Sequence, residues 1–137
     1  MSTKAEIVQF LKQEFPQTKC VVEDVGNASA TVKYHVGLDE LRPGRTVSGP
    51  VLMAVADVAL YVAIMGEIGI VPLAVTTSLS INFIRKPPPS GCIVGVCKLM
   101  KVGRSLAVGD VALYSEGVAD MVAHAVGTYS IPPKHKR

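Results

Sequence analysis

At 137 residues the chain is long enough for one core and too short for two. A net charge of +3, with three Phe, four Tyr and no Trp, leaves no basic patch with interleaved aromatics, so composition gives nucleic-acid binding no support. Hydrophobic residues make up 49% of the chain and mean hydropathy is +0.37, which calls for a membrane segment or a large buried surface that includes a subunit interface.

The first element predicted is a helix over 3–15, with Ile7, Phe10, Leu11 and Phe15 at helical spacing. Thr3 and Glu6 form a capping box at its start, Pro16 ends it, and the N-terminus carries no signal sequence. Two strands follow, 20–25 and 29–36, joined by a hairpin turn at Gly26-Asn27. In the second, Ala30, Val32 and Tyr34 share one face. Residues 37–47 read as a loop around Pro43-Gly44.

Ser48-Gly49-Pro50 then opens a long helix, Ser as N-cap and Pro in the first turn, that runs to Gly66 or Gly69. Its run from Val51 to Ile64 is apolar on all sides. Asp57, Glu67, Gly66, Gly69 and Pro72 interrupt the one candidate membrane span, so a core helix wrapped by a sheet is expected. Four strands follow at 73–85, 91–102, 105–115 and 119–131, closely connected and so read as an antiparallel meander. His124 is placed in the core and Lys134–Arg137 forms a fraying basic tail. Cys20, Cys92 and Cys97 lack disulfide or metal spacing and read as reduced core thiols, so no metal is expected and a cytoplasmic location is. The whole chain, 1–137, is expected to be one α+β domain, an antiparallel sheet around one long helix.

Asp57 is the anomaly. A carboxylate inside the longest apolar run costs several kcal/mol, roughly, unless something compensates it. It is read either as a reactive group or as a buried acid bonded to Thr or Ser, or one facing water. The helix start offers unpaired N–H groups and a positive dipole end, suited to an oxyanion, and Gly49 permits close approach. Because Pro50 has no N–H, Gly49 and Val51 are the donors there. Asp57 lies seven residues past Pro50, roughly 10 Å along the axis. One thioester or ester carbonyl cannot reach both points in one chain, so a shared reaction needs Gly49 of one subunit facing Asp57 of another. Thr76 and Thr77 carry hydroxyls that could hold a carboxylate or water. Arg85, Lys86, Lys101 and Arg104 flank strand ends and could grip phosphates.

The stretch Val47-Ser-Gly-Pro-Val-Leu-Met-Ala-Val-Ala-Asp57 resembles the helix of hotdog-fold acyl-CoA thioesterases of the phenylacetate-pathway (PaaI-like) group. Val75-Thr-Thr-Ser-Leu-Ser-Ile-Asn-Phe-Ile-Arg-Lys-Pro87, Lys101-Val-Gly-Arg-Ser105 and Ala125-Val-Gly-Thr-Tyr129 are similar to that group's later strands. The resemblance implies a hotdog fold with an extra N-terminal helix over 1–17, and hydrolysis of an acyl-CoA thioester with coenzyme A as part of the substrate and no cofactor. It implies Asp57 as general base or nucleophile, the Gly49 amide as oxyanion donor from the partner subunit, and Thr76 or Thr77 positioning water or the acid. Ser48, Arg42, Arg85, Lys86 and Arg104 are the implied substrate-binding residues. A homodimer is the minimal unit and a homotetramer is expected, with neither nucleic acid nor membrane as partner.

Ser48 stands where the group has His, Pro50 where it has a second Gly, and Arg42 where an Asn is usual. These departures keep a non-catalytic acyl-CoA-binding hotdog module as the alternative. An acyl-carrier-protein dehydratase fits poorly, because Leu41 and Val55 occupy the places of its catalytic His and acid.

Overall fold

The computed structural model describes residues 1–37, 40–44, 46–88 and 91–133, so the basic tail Lys134–Arg137 lies outside it. The elements run α1 (Lys4–Glu14), β1 (Cys20–Gly26), β2 (Ser29–His35), β3 (Leu41–Arg42), β4 (Thr46–Val47), α2 (Gly49–Ile68), β5 (Val75–Phe83), β6 (Cys92–Val102), β7 (Leu106–Ser115) and β8 (Met121–Ser130). Six strands form one antiparallel sheet in the order β1-β2-β6-β7-β8-β5. It wraps α2, whose residues from Val55 to Met65 are buried except for Asp57. This is the expected hotdog architecture, with α1 added. By length and apolarity α2 could cross a membrane, yet 67% of its most apolar stretch is buried inside the protein.

Local chemistry explains most boundaries. Thr3 and Glu6 close the capping box, with Glu6 N–H donating to Thr3 Oγ1 at 3.2 Å and Thr3 N–H to Glu6 Oε1 at 2.9 Å. The first hairpin turns at Asn27 and Ala28, both left-handed at φ 54° and 57°, one residue later than the Gly26-Asn27 expected. Residues 37–47, read as a loop, contain the β3–β4 hairpin. Glu40 anchors it from the inside: its buried carboxylate accepts from Gly37 N–H at 2.6 Å and pairs with Lys19 at 3.1 Å. The Gly37 amide, and then Lys19, hold Glu40 below the usual carboxylate range. Its main-chain carbonyl accepts from Ser48 N–H at 2.9 Å, which fixes the approach to α2.

Two expectations change. The last four strands are not a simple meander, because β5 pairs with β8 at the far edge while β6 joins β2. The eight residues 84–91 carry the chain across two strands, roughly 10–15 Å, well within their extended reach. His124 is not in the core. Its neighbours Ala123 and Ala125 face α2, so strand parity turns His124 outward, where it pairs with Asp110 at 2.9 Å.

Three glycines on the concave face make room for the helix. A Cβ at Gly95 would sit 2.9 Å from Val55 Cγ1, and one at Gly109 would sit 3.0 Å from Leu60 Cδ2. At Gly127 it would run into Leu60 Cδ1. Gly109 and Gly127 are cross-strand partners, so Leu60 drops into one shared notch. Gly127→Val should therefore destabilise the fold by about 2–3 kcal/mol through overpacking, read as a lower urea midpoint with unchanged slope.

Candidate active site

Asp57 sits on the α2 face that turns toward the β5 edge, half-buried and bonded rather than isolated. Thr76 Oγ1–H donates to Asp57 Oδ1 at 2.5 Å. The Tyr129 hydroxyl lies 2.8 Å from the same oxygen and 3.0 Å from the Asp57 main-chain carbonyl. Having one proton, Tyr129 donates to one of these acceptors at a time. Burial, and then the charge of Asp57, push the Tyr129 phenol up, so it remains a donor. Among the described residues nothing bonds Oδ2. One oxygen of the carboxylate is held and the other is left for chemistry.

The strand explains why Thr76, and not Thr77, meets the acid. Thr76 pairs with Tyr129 and Ser78 with Thr128, so Thr77 is the extra residue of a bulge. The Thr77 hydroxyl donates to Thr128 O at 3.3 Å, away from Asp57.

Asp57, Thr76 and Tyr129 line a cavity of about 450 Å³. Its far walls come from Phe10 and Glu14 of α1 and from Phe15 and Gln17 after it. Tyr61 stacks on Tyr129 with centroids 5.9 Å apart, and Phe10 meets Tyr61 edge-on at 6.2 Å. Aromatic rings thus make up much of the wall, with the carboxylate set among them.

Gly49 lines a different cavity, of about 360 Å³, together with Arg42, Arg85, Lys86 and Phe83. Among the described residues none lines both. The Phe83 ring packs over Gly49, where a Cβ would come 3.2 Å from Cζ. As the first residue of α2, Gly49 has no acceptor for its N–H within the helix. Val51, the other donor expected, bonds Ser48 O at 3.2 Å. Ser48 is the N-cap, but its hydroxyl makes no cap bond. Arg85 donates Nε–H to Met121 O at 3.0 Å, which aims the rest of its guanidinium. Arg104 lies in the turn between β6 and β7 and lines neither cavity. Among the described residues no three His, Cys, Asp or Glu side chains come together to hold a metal.

Residues 44–122 match the model of the thioesterase superfamily, and the chain belongs to that family. A candidate thioesterase from Silicibacter sp. TM1040 is 41% identical over 96% of this chain and 92% of its own, with a TM-score of 0.88. Zebra fish thioesterase superfamily member 2 superposes with a TM-score of 0.84 at 19% identity, covering 96% of this chain and all, 100%, of its own. The E. coli PaaI protein from the phenylacetic acid degradation operon does so at 0.77 and 18%, over 93% of this chain and 94% of its own. These last two speak to the fold alone. No curated protein matches the chain.

Tyr129, Tyr61, Phe10 and Phe15 are the site residues that the sequence reading did not single out. Tyr129 carries a signal in the sequence: it shares strand parity with Ala125 and Gly127, and a buried phenol requires a partner. Thioester turnover should fall about 10- to 100-fold in Thr76→Val and in Tyr129→Phe as the carboxylate loses its fixed orientation, and stay within about threefold in Thr77→Val. Steady-state kinetics on the folded variants checks this order.

Proposed function

We propose that the protein hydrolyses an acyl-CoA thioester. The observation that carries this reading is the Asp57 carboxylate, pinned through Oδ1 by Thr76 and Tyr129 and free at Oδ2 in the wall of a cavity that Phe10, Phe15 and Tyr61 also line. Asp57 takes a proton from water as the water oxygen adds to the thioester carbonyl, or adds to that carbon directly. The oxyanion is met by the Gly49 N–H at a helix N-terminus. Collapse breaks the C–S bond and coenzyme A leaves as its thiolate; the water route gives the acid at once, and the direct route leaves an anhydride of the acyl group with Asp57, which water then hydrolyses to the acid and the free carboxylate.

Gly49 comes from the partner subunit. Along one helix Gly49 and Asp57 are about 12 Å apart, and within one chain they line separate cavities. The dimer that joins them is formed at the β5 edge, where Leu73, Val75, Phe83 and Ile84 stand exposed. Met53 and Ala54 of α2 extend this apolar surface toward the helix start. Arg42, Arg85 and Lys86 around Gly49 then suit the phosphates of coenzyme A. Further pairing into a tetramer, and a cytoplasmic location, belong to the same proposal.

Asp57→Asn should lower hydrolysis at least about 100-fold while the thermal midpoint and oligomeric state hold, as loss of an acid–base group does. Near-normal turnover in that folded variant would end the assignment of Asp57 as base or nucleophile, and no turnover of any thioester by the native protein would end the proposal. Binding of acyl-CoA by the native protein without turnover across short, long and aromatic thioesters would instead favour a binding module.

A further inference from the structure

The Asp57 cavity reaches Phe15 at the end of α1, and on the other side of Phe15 lies a second cavity of about 320 Å³ between α1 and β1. Phe15 is the one residue that lines both. The second cavity is walled mainly by apolar groups, among them Val8, Leu11, Val21 and Val22. It contains no part of the catalytic constellation.

Phe15 is a partition and not a swinging lid. Its N–H closes the last turn of α1 on Leu11 O at 2.8 Å, and its carbonyl accepts from Thr18 N–H at 3.2 Å. Pro16 follows and fixes the next φ. The backbone is thus held on both sides, and the ring packs on the core.

We infer that Phe15 sets the upper length of the acyl group. This rests on Asp57 acting at a thioester carbonyl. An acyl group whose carbonyl lies at Asp57 runs along the apolar side of the cavity, past Val58 and Tyr61, and ends at Phe15. The substrates are then acyl groups compact enough to stop at the Phe10–Phe15 wall, and long unbranched chains are excluded. Residues 10–17 lie outside the segment, 44–122, that matches the family model. Removing the ring joins the two cavities, and the second offers apolar space for the next several methylenes.

The test is kcat/KM for straight-chain acyl-CoA thioesters from acetyl to palmitoyl, in the native protein, Phe15→Ala and Phe15→Leu. The native protein should lose at least about tenfold beyond its preferred length, and Phe15→Ala should raise the long-to-short ratio at least about tenfold. Phe15→Leu, the milder change, should move the ratio in the same direction and serves if the alanine variant does not fold. An unchanged length profile in the folded variant, or palmitoyl as the best native substrate, would overturn the inference. Asp57→Asn is run beside them. Loss of turnover at every length there, with the Phe15 profile unmoved, sinks the length limit alone, whereas retained turnover in Asp57→Asn sinks the placement of the reacting carbonyl at Asp57 on which the limit rests.

Discussion

Everything in this molecule follows from where Leu60 sits. An apolar helix has no side of its own to prefer, and α2 could rotate or slide against a flat apolar sheet at little cost. The notch formed by Gly109 and Gly127 removes that freedom, since there the concave face lacks side chains. Leu60 fills it, Val55 does the same over Gly95, and close packing fixes both the rotation and the height of the helix. One turn before Leu60 stands Asp57, which is thereby set at the sheet's margin beside β5 and β8 and not under its centre.

That margin is where a carboxylate can be tolerated. Under the sheet Asp57 would have met only aliphatic side chains and borne the full cost of desolvation. At the edge it meets two hydroxyls, Thr76 and Tyr129, on adjacent antiparallel strands. The bulge at Thr77 is what brings the Thr76 hydroxyl inward while β5 beyond it keeps its parity with Leu79 and Ile81 facing the core. Phe10 of α1 and Phe15 just after it stand in the wall of the cavity that the carboxylate also lines.

Much of this was legible in the sequence, and the failures have physical causes. The capping box, the Ser48-Gly49-Pro50 start and the uniform apolarity of α2 are local signals, and they gave both helices and the wrapped-helix architecture. Asp57 was visible because a charge in an apolar run is rare enough to demand a reason. What local pattern does not carry is pairing. The placement of β5 beside β8, the bulge that separates Thr76 from Thr77, and the Gly95, Gly109 and Gly127 notch depend on strands distant in sequence. His124 was misplaced by its apolar neighbours in the chain, where parity with Ala123 and Ala125 decides the face. Tyr129 enters the sequence reading only as the end of a strand motif, although its buried hydroxyl is the second hand on the acid.

The site remains divided within one chain: the acid in one cavity, the helix-start amide and its basic neighbours in another. Mixed oligomers test whether two subunits unite them. Chains carrying Asp57→Asn and chains carrying Gly49→Val, each inactive alone, are co-expressed and the hybrid is assayed. If the site is shared, random pairing yields hybrids with one intact site each, and about one quarter of native activity returns. Activity no greater than that of the two parents would place both halves of the chemistry in the same chain and contradict a site shared between subunits.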